Sequence, residues 1–282
     1  RPTCASLLDV AEQSQPSEFR NNGWVVEALQ AAWSAITNTP VPVDDPAGGV
    51  FRVDHLRLAI DAAVRGGGDT DTVAAIAGGL LGAAYGASAV PAEWRRMLHG
   101  WPGLRSRALV DLAATITGLE KPELSYSGWT HTGDSARHPH DDGVWLGGIG
   151  ALRSMSGEVD AVVSLCRVGD ADLPAHAEHV AVRLIDREGE NANLDFVLLD
   201  TVRAVEQLRQ EGRTVLIHCV QAQSRTPTVA ALYGARLGGI GIHEALGDVC
   251  DVLPNASPNP EFREALQRIH PYARPDDCCG TR

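Results

Sequence analysis

Cys219 and Arg225 stand with five residues between them in His218-Cys219-Val220-Gln221-Ala222-Gln223-Ser224-Arg225-Thr226-Pro227. An apolar run, Val215-Leu216-Ile217, precedes them and a periodic stretch follows, so the order reads strand, loop, helix. A loop wrapped between a strand end and a helix start turns its backbone N–H groups toward one point, which makes an anion site. Here those groups belong to Val220, Gln221, Ala222, Gln223 and Ser224. The same positive potential favours the thiolate of Cys219, the nucleophilic form. Arg225 supplies a planar fork that grips two phosphate oxygens. Thr226 has a hydroxyl to offer the sulfur, and Pro227 suits a first helical turn, where its missing N–H costs nothing. A thiolate that attacks a phosphate ester still needs an acid for the departing oxygen. Asp186, 33 residues before Cys219, sits in a polar loop after the alternating run His179 to Ile185 and is placed for that role. Asp170 and Asp172 are rival acids, further from Cys219 in sequence, and rank below it. A bare Cys-x5-Arg pair equally suits a buried strand-end cysteine. The strand, the helix, Thr226 and Asp186 together favour phosphate chemistry.

A second cluster is Asp69-Thr70-Asp71-Thr72 behind Gly66-Gly67-Gly68, two carboxylates and two hydroxyls at a helix start. Hard cations such as Mg²⁺ take oxygen ligands of this kind. An EF-hand loop would need ligands at Val73 and Leu80 and fails. An Asp-x-Asp nucleophile motif would need an apolar strand running into Asp69, and Arg65-Gly66-Gly67-Gly68 stands there instead.

The elements that must carry these residues fall into two textures. Up to about residue 122 the chain reads all-helical. Trp24, Val25, Ala28, Leu29, Ala32, Trp33 and Ile36 recur at helical spacing; further helices are expected over about 53–64, 72–86, 91–99 and 104–119. Residues 120–143 are rich in Gly, Pro, His, Ser and Thr and read as a linker or entry loop. His131, His138 and His140 lie there with Asp134, Asp141 and Asp142, and a solvated turn-rich stretch is preferred over a metal site. Beyond it, strands are expected at 144–146, 161–165, 179–185 and 215–217, with helices over 194–210, 226–236, 242–249 and 260–269. This alternation predicts an α/β layer fold. The expected domains are 1–122 and 123–282. Trp94, Trp101 and Trp129 read as packing residues, Arg95-Arg96 as a surface pair, and Cys278-Cys279 as part of a loose terminus.

The second half resembles the cysteine-dependent dual-specificity (protein-tyrosine) phosphatases over roughly residues 124–272. The matching residues are His218-Cys219-x5-Arg225-Thr226, Asp186, the opening Val144-Trp145-Leu146-Gly147 and the closing Pro258-Asn259-Pro260-x-Phe262. The resemblance implies a thiol-phosphate intermediate on Cys219, phosphate held by Arg225, and Asp186 acting as acid and then base, with no cofactor. It also implies Gly three residues after the cysteine, where this chain has Ala222. If that position needs positive φ, alanine carries a strain of roughly 1 kcal/mol.

The first half resembles the C-terminal part of the ADP-ribosylglycohydrolases. The matching text is Trp24-Val25-Val26-Glu27-Ala28-Leu29-x-Ala31-Ala32-Trp33, and Ala59-Ile60-x-Ala62-Ala63-Val64-x-Gly66-Gly67-Gly68-Asp69-Thr70-Asp71-Thr72-Val73-Ala74-Ala75-Ile76-Ala77-Gly78. It implies an all-helical domain in which Asp69, Asp71 and Thr72 hold one side of a two-magnesium site for hydrolysis of ADP-ribosyl bonds. The family's opposite ligands, a Thr-Asp-Asp cluster, have no counterpart here. The region therefore reads as truncated, either completed by a segment upstream of Arg1 or kept for packing.

Composition narrows the rest. The 282 residues carry a net charge of −12, with 44% hydrophobic and 21% charged residues, which suits a packed protein and excludes a general nucleic-acid-backbone binder. The softest run, Val73 to Val90, is Ala/Gly-rich and is not read as a membrane span. Six cysteines show no Cys-x-x-Cys pair and no disulfide framework, and the expected compartment is the cytoplasm. The main expectation is a phosphatase acting on a phosphorylated protein or a small phosphate ester. The alternatives are a Mg-dependent ADP-ribosylglycohydrolase completed by a missing segment, or a non-catalytic module binding ADP-ribose or phosphate.

Overall fold

The computed structural model describes residues 3–118, 135–155 and 157–270. The chain divides into two compact units, Arg1–Asp45 with Gly49–Pro91, and Pro46–Gly48 with Ala92–Arg282.

The first unit is helical: α1 Cys4–Glu12, α2 Val25–Asn38, α3 Asp54–Arg65 and α4 Thr70–Tyr85, with short 3₁₀ turns at Pro16–Glu18 and Ala87–Ala89. Its core is built largely from alanine: Ala11, Ala31, Ala32, Ala35, Ala63 and Ala77, with Phe19 and Val73. Small side chains let these helices approach closely and make the apolar stripe read weakly as hydrophobicity. Helices α2, α3 and α4 stand where helical periodicity put them. Helix α1 has no counterpart among the expected helices; Thr3 caps it by accepting from the Ser6 N–H at 3.2 Å.

The second unit opens with α5 Ala92–Met97, a two-stranded ribbon of β1 His99–Gly100 and β2 Leu104–Arg105, and α6 Ser106–Thr117. A five-stranded sheet follows, formed by β3 Ser135–His138, β4 Asp141–Gly147, β5 Ala161–Ser164, β6 Glu178–Ala181 and β7 Val215–His218. Its order is β3-β4-β7-β5-β6, with β3 antiparallel to β4 and every other pair parallel. Helices α7 Ile149–Ser154, α8 Leu194–Gln210, α9 Arg225–Gly238, α10 Ile242–Val252 and α11 Pro260–Ile269 complete it. Every residue of β5 and β7 is buried, as a parallel sheet covered on both faces requires. Register places Val162 beside Leu216, and both pack with Ile149 and Leu152 of α7.

Several expectations are corrected here. The linker was read through Gly143, but residues 135–147 are a hairpin. His138 is buried, its Nε2 3.0 Å from the Ala230 carbonyl, and Asp141 pairs with Arg209 at 2.9 Å, so this stretch is sheet edge and not a solvated loop. The strand expected over 179–185 ends at Ala181, because Arg183 takes φ 62° and breaks the extended run. Helix α7 was not foreseen. Arg95 and Arg96 are not a surface pair: Arg95 donates to the Ala181 carbonyl at 2.6 Å and Arg96 to Glu178 at 2.6 Å. Trp101 is 92% exposed, which removes it from the packing residues, while Trp94 is half-buried. Trp129, His131, Asp134, Cys278 and Cys279 lie outside the described residues. The compact units divide at Pro91 and Ala92, which puts α5 and α6 in the unit of the sheet; this division by packing does not test the expected border near 122, which rests on sequence texture.

Candidate active site

Strand β7 ends at His218 in the middle of the sheet, and Cys219 follows it, 1% exposed. Residues 219–224 wrap from there to the N-terminus of α9, whose first residue is Arg225. A loop from a strand end to the positive end of a 14-residue helix is the arrangement expected of an anion site. The loop is tied to its surroundings by backbone. Ile149 N–H donates to the Val220 carbonyl at 2.9 Å, and Ser257 N–H to the Gln223 carbonyl at 2.6 Å. Gly148 makes the first of these possible, since a Cβ there would stand 2.8 Å from the Val220 oxygen. Ala222 adopts φ 56°, the left-handed conformation in which glycine is the unstrained residue.

Arg225 lies against the carbonyl ends of two neighbouring segments. Its Nη1 donates to the Leu184 carbonyl at 2.9 Å and to the Leu165 carbonyl at 3.3 Å. Its Nε is buried, makes no hydrogen bond, and stands 3.7 Å from Asp186 Oδ2. Asp186 itself is held at the loop. Ser224 Oγ–H donates to its Oδ1 at 2.7 Å, and Asn259 Nδ2–H to the same oxygen at 3.1 Å. The structure thus brings Asp186 against Arg225 and Ser224, at the far end of the loop that Cys219 opens. Asp172 is elsewhere, paired with Arg153 at 3.4 Å. The Thr226 hydroxyl, expected to serve the sulfur, donates to the Gly147 carbonyl at 3.3 Å, so it fixes β4 to the helix start.

Three contributors were not assigned from sequence. Ser224 was counted for its backbone only, yet its side chain holds Asp186 and accepts from the Asn259 N–H at 3.2 Å. Asn259 stands in the Pro258-Asn259-Pro260 run, where the sequence alone assigns it no role. It caps α11, its Oδ1 accepting from the Phe262 N–H at 2.9 Å, and the remaining amide hydrogens reach Asp186. Asn followed by Pro is a helix-start signal, but it does not tell what the free end of the amide touches. Behind the cysteine, His218 is buried and its Nε2 is 2.7 Å from Ser164 Oγ.

In the first unit, Asp69 precedes α4 and its N–H donates to Asn22 Oδ1 at 2.8 Å, while Asn22 Nδ2–H donates to the Gly67 carbonyl at 2.8 Å. Gly68, φ 75°, lets that loop pass close to Asn22. Asp71, fully exposed, is drawn below the usual carboxylate range by a hydrogen bond with Asp69, helped by the Thr72 N–H. Asp69, Asp71 and Thr72 therefore start one helix together. Among the described residues, however, no group of three His, Cys, Asp or Glu side chains is gathered as for a metal ion. Two carboxylates and a hydroxyl would hold Mg²⁺ from one side, with water or substrate oxygens completing its shell.

Comparison with known proteins divides the chain in the same two ways. The family model for ADP-ribosylglycohydrolase matches residues 2–123. Dual specificity protein phosphatase 1 of Arabidopsis thaliana is 28% identical over 149 residues, covering 50% of this chain and 72% of the relative. Protein phosphatase Slingshot homolog 3 of Rattus norvegicus is 31% identical over 109 residues, covering 39% of this chain but 16% of the relative. ADP-ribosylarginine hydrolase Tri1 of Serratia proteamaculans (strain 568) is 33% identical over 95 residues, covering 33% of this chain and 22% of the relative. The solved structure of human DUSP28 aligns with 46% of this chain and 89% of its own, at 24% identity and a TM-score of 0.41. The chain thus joins a segment similar to the ADP-ribosylglycohydrolases to one similar to the dual-specificity phosphatases. It spans under a quarter of Slingshot homolog 3 and of Tri1.

Proposed function

We propose that this chain is a cysteine-dependent phosphatase that hydrolyses phosphate monoesters, on a phosphorylated protein or a small phosphate ester. The observation that carries the reading is one loop that opens at Cys219 and closes at Arg225, with Asp186 beside Arg225 and tied to the loop through Ser224. Similarity to the dual-specificity phosphatases supports it. In the reaction the Cys219 thiolate attacks phosphorus as the bond to the ester oxygen breaks. Arg225 grips two non-bridging oxygens, and the loop N–H groups receive the charge. Asp186 delivers a proton to the leaving oxygen. The thiol-phosphate is then attacked by water, whose proton returns to Asp186, releasing inorganic phosphate and restoring the thiolate. A reducing compartment such as the cytoplasm suits a reactive thiol.

The test is hydrolysis of an aryl phosphate in EDTA by the parent and by Cys219→Ser. Turnover in the parent and none in the variant supports the thiolate route. A parent that is inactive, or a variant that keeps its rate, sinks it.

A second reading concerns the first unit, where the family match and the Asp69–Asp71 pair favour binding of ADP-ribose. No catalytic step is assigned to it. Calorimetric titration with ADP-ribose, with and without Mg²⁺, tests it: heat of binding that Asp69→Ala abolishes supports the reading, and no heat in either buffer removes it.

A further inference from the structure

We propose that Arg107, on α6, is a positioning residue for Cys219, acting through a one-way chain of hydrogen bonds that runs across the sheet by His179, Ser164 and His218. The proposal deepens the phosphatase reading and rests on it for the role of Cys219.

The chain has four contacts. Arg107 Nη1 is 3.3 Å from His179 Nδ1, and His179 Nε2 is 2.9 Å from Ser164 Oγ. Ser164 Oγ is 2.7 Å from His218 Nε2, and His218 Nδ1 is 3.2 Å from the Cys219 carbonyl oxygen. Sheet register lines these side chains up. Ser164 pairs with His218 across β5 and β7, and His179 pairs with Val162, two residues back on the same face.

The two ends give the chain its direction. A guanidinium can only donate and a carbonyl can only accept. His179 Nδ1 therefore accepts from Arg107, and the His179 proton sits on Nε2 and goes to Ser164. The Ser164 hydroxyl is left to donate to His218 Nε2. The His218 proton then sits on Nδ1 and points at the Cys219 carbonyl. Every proton is assigned, provided both rings are neutral. Burial, with Arg107, His218 and Arg183 adding to it, pushes His179 down to about 3. Burial also pushes His218 down to about 4, against the hydrogen bond to Cys219 and with Arg225 adding.

The far end of the chain is where it matters. The Cys219 carbonyl and the Val220 N–H share one planar peptide unit. Holding that carbonyl sets where the first N–H of the anion loop points. Without a donor at His179 Nδ1, its proton is free to move there. His179 Nε2 then competes with His218 for the single Ser164 proton, and His218 can turn a lone pair toward the Cys219 carbonyl. Arg107 is well fixed for its task, since its Nη2 donates to the Val168 carbonyl at 2.7 Å. It lies within the stretch that matches the ADP-ribosylglycohydrolase model, while the groups it orders lie in the phosphatase-like sheet.

Two measurements on the full chain test this. The first needs no variant: ¹⁵N NMR of the imidazoles should show His179 protonated at Nε2 and His218 at Nδ1, and the opposite tautomer at either ring overturns the proposal. The second follows iodoacetamide alkylation of Cys219 against pH, read on its peptide by mass spectrometry. In Arg107→Met and Ser164→Ala the alkylation midpoint should rise by about one pH unit, with a roughly tenfold fall in kcat on an aryl phosphate. Arg107→Lys, which keeps a donor, should restore both, and the double variant should be no worse than Ser164→Ala. An unmoved midpoint in folded Arg107→Met overturns the proposal. Neither tautomers nor alkylation depends on turnover, so an inactive parent would sink the phosphatase reading and leave this one to be decided separately.

Discussion

Ala222 shows how one side chain reports on a loop. Its φ of 56° is a conformation in which an L-residue with a Cβ is strained, and it stands three residues after Cys219. Ala222→Gly should relieve about 1 kcal/mol and let the loop settle around an oxyanion. A higher melting temperature or a higher kcat than the parent is expected; a loss of both would mean the loop is tuned to alanine. Asp186 carries the second prediction at this scale. Asp186→Asn keeps the hydrogen-bond acceptor for Ser224 and Asn259 but not the transferable proton. It should lower kcat by about 10²–10⁴ on esters of poor leaving groups, and far less on p-nitrophenyl phosphate. Equal losses on both would argue that Asp186 only orders the loop.

Helices α5 and α6 are held to the sheet by charge more than by apolar packing. No residue of α6 is buried, and α5 buries Ala92 alone. Asp200 on α8 does the anchoring for α5: its Oδ2 accepts from the Ala92 N–H at 2.8 Å and lies 3.4 Å from Arg95 Nη2. Burial raises the Asp200 carboxyl above its ordinary range, opposed by Arg95. Removing one member of such a pair leaves the other buried and unpaired, which costs more than the pair contributes. Asp200→Ala should therefore lose about 3 kcal/mol in urea unfolding of the phosphatase-like unit. A loss below about 1 kcal/mol would mean α5 detaches without consequence for the sheet.

For the molecule as a whole, buried histidines govern acid stability. Burial holds His138, His179 and His218 below 6.5 in the fold, the last two at about 3 and about 4. The unfolded chain takes up these protons below pH 6.5 while the fold does not, so unfolding is favoured as pH falls. Their contribution is complete above 6.5 and is lost toward the folded values, at up to about 1.4 kcal/mol per pH unit for each histidine. Asp141 adds to the loss lower down. Burial works to raise it, but Arg209, Tyr233 and the Gly143 N–H together hold it below the ordinary range. Asp200, raised in the fold, acts in the opposite sense. Urea midpoints should fall steadily from pH 7 to pH 5, and His179→Phe should flatten the slope. A flat profile over that range would show that these rings are accessible to protons.

What the amino-acid sequence determined by itself is local and chemical. The run Val215 to Pro227 declares strand, loop and helix, and with them the proposed nucleophile and phosphate clamp, because a parallel strand must be apolar and a helix start has its own residues. Asp186 could be ranked over Asp172 by spacing, and the positive φ at Ala222 was foreseeable from the residue type expected there. What only tertiary structure decided lies across elements. That Ser224 and Asn259 hold Asp186, that Thr226 binds the Gly147 carbonyl, and that residues 135–147 are a sheet edge all depend on partners remote in sequence. The division by packing near residue 91 was hidden for the same reason: α5 and α6 read as more helix of the first kind, while the ion pairs that bind α5 to β6, to α8 and to the end of α8 are made with residues some 80 to 115 positions away. Periodicity reports which face of a helix is apolar; only the fold says what that face, or a charged one, comes to rest against.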